Sequence, residues 1–321
     1  MKVSILVPIY GVERYMADCA KSLFSQTYED IEYIFVDDCT PDHSVDVLNE
    51  VLATFPDRRQ QVIILHHEQN QGLGAARLTA INAATGDYVM HVDSDDSLPP
   101  HAVELLVDKA QQTGSDIVDG GYGLMCHNEI IREEMPFEGT KQGFLKLMLC
   151  QNIVLSMIWG RLYRRTLYTE NHIYPIPGID NGEDLGIVPR LYFHASRATV
   201  RAVVYHYRDD NATSYTNVAI SDKAIRSYLK ANAEVFRFYQ AHDKRRTYAY
   251  ALELGYVNVL RDVRRHAIPV SLVDELCPLR LRHPATRLTA TVMRSRCPLA
   301  VASLLYRCQR KLFELSVRHG C

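Results

Sequence analysis

The sequence lacks several features that would assign it at once to a class of protein. Its eight cysteines are scattered, with no C-x-x-C pair, so neither a zinc site nor a disulfide framework is expected. No window holds the roughly 18 consecutive apolar residues that a membrane-spanning helix needs. A formal net charge of -2 gives no global attraction to nucleic acid. Reduced thiols without a membrane span predict a cytoplasmic protein.

The N-terminus also lacks the pattern of a signal peptide. MKVSILVPIY carries one Lys and a short apolar run that meets Pro8, so it predicts a β-strand. Positive charge is concentrated at the other end, where nine Lys or Arg and one acid, Glu314, lie between Leu276 and Cys321. This basic, partly apolar tail suits a segment lying on an anionic membrane surface. A helical extension that packs its apolar stripe on the catalytic part is the alternative.

Strand and helix patterns alternate through the first third of the chain. Apolar runs at Val3–Val7, Ile31–Val36, Val62–His66 and Asp87–Val92 predict buried strands, and helical spacing lies between them. This rhythm is typical of an α/β fold with a mostly parallel sheet and helices on both faces. Further along, residues 221–266 predict one helix, and four prolines are expected to break the remainder into short pieces.

Two acidic clusters follow predicted strands. Asp37-Asp38 comes after the second strand and Asp93-Ser94-Asp95-Asp96 after the fourth. Both are expected at the edge of the sheet where ligands bind. Hard cations such as Mg²⁺ or Mn²⁺ prefer carboxylate oxygens, so the larger cluster suits a metal as well as it suits an ordinary acidic turn. The smaller cluster is by itself more typical of a strand-to-helix turn.

Three further stretches carry chemically useful residues. Gly72-Leu73-Gly74 begins a G-x-G-x-x pattern, yet Arg77 takes the third glycine position, which favours a loop that brings Arg77 to a diphosphate. Glu183-Asp184 is either a capping acid pair or a general base. His206 and Arg208 either serve a diphosphate and a metal or are ordinary surface residues.

In their order along the chain these stretches resemble the inverting family 2 glycosyltransferases with the GT-A fold, of the type that builds bacterial surface polysaccharides. The resemblance covers about residues 2–216 and is carried by VSILVPIYGVERYMADCAKSLFSQTYEDIEYIFVDDCTPD, QNQGLGAARLTAINAATGDYVMHVDSDD and GEDLGIVPRLYF. It implies a nucleotide-sugar-binding half at 1–115, an acceptor-binding and catalytic-base half at 116–220, and a helical, basic extension at 221–321. Gly11 and Leu78 stand where the family usually has Asn.

The resemblance also implies roles for single residues. Asp184 matches the family's catalytic base, with Glu183 beside it. A divalent cation, Mn²⁺ or Mg²⁺, is expected at Asp95, Asp93, Asp96 and His206. The residues expected at the donor nucleotide are Pro8, Tyr10, Glu13, Asp38, Arg77, Asp93, Ser94, Arg208 and Ser214.

The implied reaction moves a sugar, with inversion, from a nucleotide sugar to a hydroxyl of a glycan or lipid-linked acceptor. UDP is the expected nucleotide, and no nucleic acid partner is expected. An inactive nucleotide-sugar-binding protein and a sugar nucleotidyltransferase are the alternatives. The latter would normally have a basic Gly-rich loop after the first strand, where this chain has PIYGVE.

Overall fold

A computed structural model describes residues 1–150, 156–211 and 221–319 of the chain. The chain forms two compact units. The first unit consists of Met1–Glu138, Ile158–Asp180 and His194–Val218. The second unit consists of Gly139–Met157, Asn181–Phe193 and Ala219–Cys321.

The first unit begins with parallel strands that alternate with helices. The strands are β1 (Val3–Ile9), β2 (Ile31–Asp37), β3 (Val62–His66) and β4 (Tyr88–His91). They lie in the order β3-β2-β1-β4. The helices between them are α1 (Glu13–Phe24), α2 (Ser44–Ala53), a 3₁₀ helix (Pro56–Gln61) and α3 (Leu73–Ala83). Every residue of β1 and β4 is buried, as their unbroken apolar runs predict.

The rest of the first unit completes a mixed sheet. Its elements are α4 (Ala102–Thr113), β5 (Ile117–Cys126), β6 (Glu129–Glu134), β7 (Arg161–Arg164), α6 (Thr166–Asn171) and β8 (Arg197–Arg208). β7 is antiparallel to both β4 and β5, β6 is antiparallel to β5, and β8 runs parallel to β5. The predicted α/β sheet is confirmed. Its parallel part comprises β1 to β4, and its pairing becomes mixed beyond β4.

The register of the parallel strands brings the two acidic clusters to one edge. β1 lies between β2 and β4, with Ile9 opposite Asp37 and Leu6 opposite His91. The loops after β2 and β4 therefore leave the sheet at its carboxyl edge, on either side of the end of β1. This is the edge at which α/β sheets bind ligands.

The second unit is helical. It contains α5 (Lys141–Leu149), α7 (Glu183–His194), α8 (Asp222–His242), α9 (Ala249–Arg265), α10 (Ser271–Leu276), α11 (Pro284–Arg294) and α12 (Leu299–His319). The segment predicted as one helix at 221–266 is two, because the carboxylate of Asp243 accepts from the amides of Thr247 and Tyr248 and ends the first. The prediction of short pieces after Pro269 is wrong for α12, which has 21 residues. The apolar spacing of residues 142–155 also predicts a helix, and the end of that helix lies outside the described residues.

The cysteines and the longest helices bear on the predictions of reduced thiols and of no membrane span. The cysteines of the described residues are free, and Cys19, Cys150 and Cys277 are buried. In the same part of the chain, no helix combines the length and the apolar character that crossing a bilayer would require.

Candidate functional site

The acidic cluster forms a tight turn directly after β4. The amide of Asp96 donates to the carbonyl of Asp93 (3.0 Å), so three carboxyl groups are carried by one short loop. Ser94 and Asp96 are buried, whereas Asp93 and Asp95 are half-buried. We call residues 93–96 the acid loop.

The end of β8 holds the acid loop in place. Ser97 and His206 exchange two backbone hydrogen bonds, with N–O distances of 3.2 and 2.9 Å. The Tyr205 hydroxyl donates to Oδ2 of Asp96 (2.7 Å), and the Arg208 amide donates to Oδ1 (2.7 Å). Both oxygens of Asp96 therefore accept from β8, and this carboxyl group joins the strand to the loop.

The crowded carboxyl groups change one another's acidity. Burial raises the pKa of Asp96 well above its ordinary value, and the charges of Asp95 and Asp93 raise it further. Burial likewise raises the pKa of Asp95, with Asp93 as the next cause. Oδ2 of Asp95 accepts from Nδ2 of Asn211 (2.7 Å). Like charges brought together in a buried turn are stabilised by a cation, and oxygen donors of this kind suit a hard divalent one.

Asp93 has a cationic partner within the first unit. Nη2 of Arg77, on α3, lies 2.8 Å from Oδ1 of Asp93, and Arg77 is 1% exposed. A planar guanidinium held this way fixes the orientation of the carboxylate that it contacts. Arg77 thus contacts Asp93, and its approach to a diphosphate stays a prediction.

Arg208 holds a second positive charge beside the acid loop. Its Nε donates to the carbonyl of Asp95 (3.0 Å), and its Nη1 donates to Oδ1 of Asn128 in the β5–β6 turn (3.0 Å). The guanidinium also lies over the ring of Tyr15, 5.1 Å from its centre, which is a cation–π arrangement. The side chain is thereby positioned on three sides.

His206 is half-buried near the same loop. Its Nδ1 lies 3.5 Å from Oγ of Ser97. Burial lowers the pKa of His206 below its ordinary value, so the ring is neutral at pH 7 and keeps a lone pair for a ligand. Its predicted place in a metal shell stays a prediction.

In the described residues, one trio of metal-type side chains lies close together, and it lies outside the acid loop. Ligand atoms of Cys126, His127 and Asp210 lie within 4.8 Å of one another. Nδ1 of the exposed His127 is 3.0 Å from Oδ2 of Asp210. An ordinary surface contact between histidine and aspartate explains this geometry, and we assign no metal to it.

Asp38, predicted to bind the uracil ring, is buried against the loop that follows β3. Its Oδ1 accepts from the Gln71 amide (2.8 Å) and lies 2.6 Å from Nδ1 of His67. Its Oδ2 accepts from the Gly72 amide (2.8 Å). A carboxylate offers about four acceptor positions, so about one is left for a base. Asp38 shapes this loop, and its contact with a base stays a prediction.

The segment after β1 presents an aromatic ring at the same edge. Tyr10 is 51% exposed, which leaves its ring accessible for stacking. Gly11 has a φ of 68°, and its amide donates to Oγ1 of Thr40 (2.9 Å). Glycine and asparagine both adopt this left-handed conformation readily, so Gly11 preserves a turn that an Asn would also form. Pro8 lies buried in β1, and Glu13 begins α1.

The two glycines of the G-x-G stretch make room for another loop of the first unit. A Cβ on Gly72, whose φ is 89°, would overlap the carboxylate of Asp180. A Cβ on Gly74 would lie 2.6 Å from the carbonyl oxygen of Ile176. Oδ1 of Asp180 lies 3.4 Å from the Gly74 amide, at the helix N-terminus where negative charge is favoured. Close packing of residues 176–180 is therefore enough to explain why glycine stands at both positions, and no bound dinucleotide is needed to explain it.

The predicted base lies in the second unit. Glu183 and Asp184 form the first turn of α7. The residue before them, Gly182, has a φ of 80°. Oγ of Ser227, on α8, accepts from the amide of Asn181 (3.0 Å) and donates to its carbonyl (3.1 Å). The start of α7 is therefore fixed on α8. Ser214 lies outside the described residues.

Four residues at these loops had no role in the sequence-based prediction. Tyr205 and Asn211 contact the acid loop, His67 contacts Asp38, and Asp180 packs on the start of α3. Tyr205 and Asn211 lie in the stretch YHYRDDN, which also contains the predicted site residues His206 and Arg208. Only the pairing of β8 with β5 reveals that this stretch meets the acid loop.

Comparison with protein families gives one extended match. The family described as glycosyl transferase family 2 matches residues 4–171. These residues include β1 to β4, the acid loop and β7.

Relatives of known sequence lead to the same family. The chain is 42% identical to the uncharacterized glycosyltransferase EpsJ of Bacillus subtilis, over 74% of this chain and 70% of EpsJ. It is 33% identical to EpsH of the same organism, over 64% of this chain and 60% of EpsH. The chain thus spans less than two thirds of EpsH.

Solved structures share the fold at low sequence identity. The structure of S. aureus TarS 1-349 in complex with UDP-GlcNAc has a TM-score of 0.64 and 19% identity, covering 100% of this chain and 92% of that one. The mannosyltransferase PcManGT of Pyrobaculum calidifontis, in complex with GDP-Man and Mn²⁺, has a TM-score of 0.51 and 15% identity, covering 94% and 86%. The expected GT-A fold with C-terminal helices is thereby confirmed.

Proposed function

Since this chain belongs to glycosyl transferase family 2, we propose that it transfers a sugar from a nucleotide sugar to an acceptor hydroxyl. The observation that carries the proposal is the acid loop, held by Arg77 and by the end of β8 at the carboxyl edge of the sheet. Three carboxyl groups kept close together in this way suit a charged ligand better than a structural turn.

We propose UDP as the nucleotide, because a neighbour in fold is a UDP-GlcNAc complex. The exposed ring of Tyr10 suits stacking on the base, and the remaining acceptor position of Asp38 suits the base imide. Pro8 and Glu13 would flank the nucleoside. Asp93 and Ser94 would face the ribose. Arg77, Arg208 and Ser214 are our candidates at the diphosphate.

A divalent cation fits the donor set of the acid loop. Asp95 is the first candidate ligand, with Asp93 and His206 beside it, whereas Asp96 already accepts from β8 with both oxygens. A bound Mn²⁺ or Mg²⁺ would supply positive charge that stabilises the departing diphosphate. The guanidinium of Arg208, fixed 3.0 Å from the Asp95 carbonyl, would add to that charge.

We propose Asp184 as the general base, with Glu183 as its neighbour. Its carboxylate would take the proton of the acceptor hydroxyl as that oxygen attacks the anomeric carbon from the face opposite the diphosphate. A single displacement of this kind inverts the anomeric configuration. The rigid start of α7 on α8 suits the task, because a base must be held within hydrogen-bonding distance of the proton that it removes.

The acceptor is proposed to be a glycan or a lipid-linked oligosaccharide in the synthesis of a cell-surface polysaccharide. In this scheme residues 1–115 bind the donor, residues 116–220 supply the acceptor site and base, and residues 221–321 form the helical, basic extension. A place in the cytoplasm, peripheral on the membrane, is part of the proposal, because such acceptors are held in lipid.

A panel of nucleotide sugars with Mn²⁺ tests the proposal. We expect one UDP-sugar to be consumed and to stabilise the protein against heat. Asp184→Asn should lose transfer by at least about a hundredfold while calorimetric donor binding stays within about twofold. Asp95→Asn should instead weaken Mn²⁺-dependent donor binding. Binding without turnover by the unmodified protein would favour an inactive nucleotide-sugar-binding protein, and no binding at all would contradict the proposal.

A further inference from the structure

Helix α12 has two apolar faces, and only one of them is used in the fold. Ala302 and Tyr306 are fully buried where α12 packs on α9 and α11. The Tyr306 hydroxyl donates to the carbonyl of Cys150 at the end of α5 (3.2 Å), and the guanidinium of Arg261 lies 5.0 Å from its ring. The helix is therefore anchored to the second unit along one side.

The other apolar face is exposed. Leu304 is 56% exposed and Leu312 is 69% exposed. They belong to a set of six exposed residues whose spacing, i, i+3, i+4, i+7, i+11 and i+14, places them in one stripe along the helix. Half of the large exposed hydrophobic side chains in the described residues lie between Leu288 and Leu315. The stripe consists of Val301, Leu304, Leu305, Cys308, Leu312 and Leu315. On an ordinary surface helix, the side that faces water carries polar residues.

Helix α11, which contacts α12, also has an exposed leucine. Nε2 of Gln309, in the middle of α12, donates to the carbonyl of Ala285 at the start of α11 (3.0 Å). Helix α11 presents Leu288, which is 61% exposed. The two helices pack as neighbours, so the exposed leucines belong to a rigid surface.

Basic residues lie on one flank of the stripe and beside α11. Arg307, Lys311 and Arg318 recur at helical spacing along one flank of the stripe, and all three are exposed. Beside α11, a cleft of about 410 Å³ is lined by Arg280, Leu281, Arg282 and Arg287. Its lining contains no acid, and guanidinium groups bind phosphate oxygens through paired N–H donors.

We propose that the α11–α12 surface docks on an anionic phospholipid bilayer, with lipid phosphates in the arginine cleft and the leucine stripe among the acyl chains. Leucines flanked by arginine and lysine are the combination by which interfacial helices bind such membranes. A second copy of the chain is the less favourable occupant, because a symmetric contact would bring two strongly basic surfaces together.

This inference rests on the proposed function for its purpose, which is to bring the enzyme to a lipid-held acceptor. It does not rest on that function for its physics, because membrane docking requires neither donor, cation nor base. Failure of docking and failure of transfer can therefore be measured separately.

Flotation of the full-length protein with vesicles tests the docking. We expect flotation with vesicles of phosphatidylcholine and phosphatidylglycerol, and at least about tenfold less with phosphatidylcholine alone. Leu304→Glu/Leu312→Glu should lower binding at least tenfold, and Arg282→Glu/Arg287→Glu should do the same. The matched controls are Ile131→Glu, whose side chain is 58% exposed on β6, and Lys21→Glu/Arg59→Glu, which remove two exposed charges elsewhere. Both controls should bind like the unmodified protein.

Three outcomes would overturn the inference. One is that the unmodified protein fails to float with the anionic vesicles. Another is that the leucine variant floats as well as the unmodified protein, when circular dichroism shows that both have the same melting temperature. The last is a dimer, measured by light scattering, that the leucine variant abolishes without any change in flotation. That result would assign the stripe to a second copy of this chain.

Discussion

At the scale of single residues, the acid loop is organised by the protein itself. Arg77 fixes Asp93, Tyr205 fixes Asp96 and Asn211 contacts Asp95. Side chains that are already held in position lose little conformational freedom when a ligand binds. Rigidity of this kind requires close packing, and Gly72 is one position where an added methyl group would disturb it.

Gly72→Ala should destabilise the protein by about 3 kcal/mol in the free energy of unfolding. The new methyl group would overlap the Asp180 carboxylate, and alanine at a φ of 89° is strained in addition. Urea unfolding followed by circular dichroism measures the change.

Gly178→Ala separates the two causes. Gly178 has a φ of 79°, but a Cβ there would meet nothing within 4 Å. Only the backbone strain should appear, at about 1 kcal/mol. Equal losses in the two variants would show that the overlap with Asp180 costs nothing.

At the scale of elements, β8 connects the acid loop to β5. The ring of Trp159 stacks on Tyr205, with ring centres 4.6 Å apart and planes inclined by 8°. Tyr205 in turn donates to Asp96. Trp159 is the one tryptophan of the sequence, so its fluorescence reports on this element.

Mn²⁺ and UDP should change the fluorescence of Trp159, and Tyr205→Phe should weaken the apparent Mn²⁺ affinity about tenfold. The reason is that a hydrogen bond to a carboxylate, worth about 1.5 kcal/mol, no longer holds the acid loop. A fluorescence titration measures both effects. Tyr122→Phe is the control, because the Tyr122 ring also contacts Trp159, edge-on with ring centres 5.1 Å apart. An unchanged affinity in Tyr205→Phe would remove Tyr205 from its positioning role.

The opposite edge of the sheet is held by a buried carboxylate. Glu32 of β2 accepts from Oγ of Ser4 (2.5 Å), from the amide of Thr85 (2.6 Å) and from Nζ of Lys2 (2.5 Å). Burial alone would raise the pKa of Glu32, but the hydrogen bonds from Lys2, Ser4 and Thr85 outweigh it and bring the pKa to about 2. One side chain thus joins β1, β2 and the turn before β4.

Glu32→Gln should lower the free energy of unfolding at pH 7 by about 2 kcal/mol and flatten its acid dependence. A carboxylate whose pKa is depressed on folding stabilises the protein above its unfolded pKa of about 4.3, and this stabilisation is lost as the pH falls towards 2. The difference between the two proteins should therefore shrink from pH 5 to pH 3 in urea titrations. Glu50→Gln, at an exposed position, should change neither value.

At the scale of the whole molecule, the cysteines of the described residues form no disulfide. Cys19, Cys150 and Cys277 are buried, whereas Cys39 and Cys308 are exposed. Burial raises the pKa of Cys150 to about 12, so this thiol is protonated and unreactive at neutral pH.

Reductant should leave the melting temperature unchanged within about 1 °C, because the cysteines at the described positions are free and form no cross-link there. A thiol reagent should label Cys39 and Cys308 in the native protein, and Cys19, Cys150 and Cys277 only after unfolding in urea. Mass spectrometry of labelled peptides measures this order. A drop in melting temperature on reduction, or rapid labelling of Cys150, would contradict the reduced, buried thiols.

Several elements could be predicted from the sequence because their patterns are local. β3 has the predicted bounds, β1, β2 and β4 lie within two residues of them, and α7 begins at Glu183 as expected. β6 carries the polar run EIIREE and α12 begins directly after Pro298, the last of the four prolines, so their patterns indicated neither a strand nor a long helix. Their structure depends on partners, which are β5 for β6 and α9 and α11 for α12.

The sequence by itself determined the strand–helix alternation, the two acidic clusters at strand ends and the basic tail. These follow from side-chain spacing along one stretch of chain, which is all that local propensity and periodicity require. Only the tertiary structure decided that Asp96 is used to hold β8, that Arg77 is buried against Asp93, that Gly72 makes room for Asp180, and that α12 keeps a second apolar face exposed. Each of these contacts joins residues far apart in sequence, and pairing and burial of that kind are set when the sheet and the helices pack.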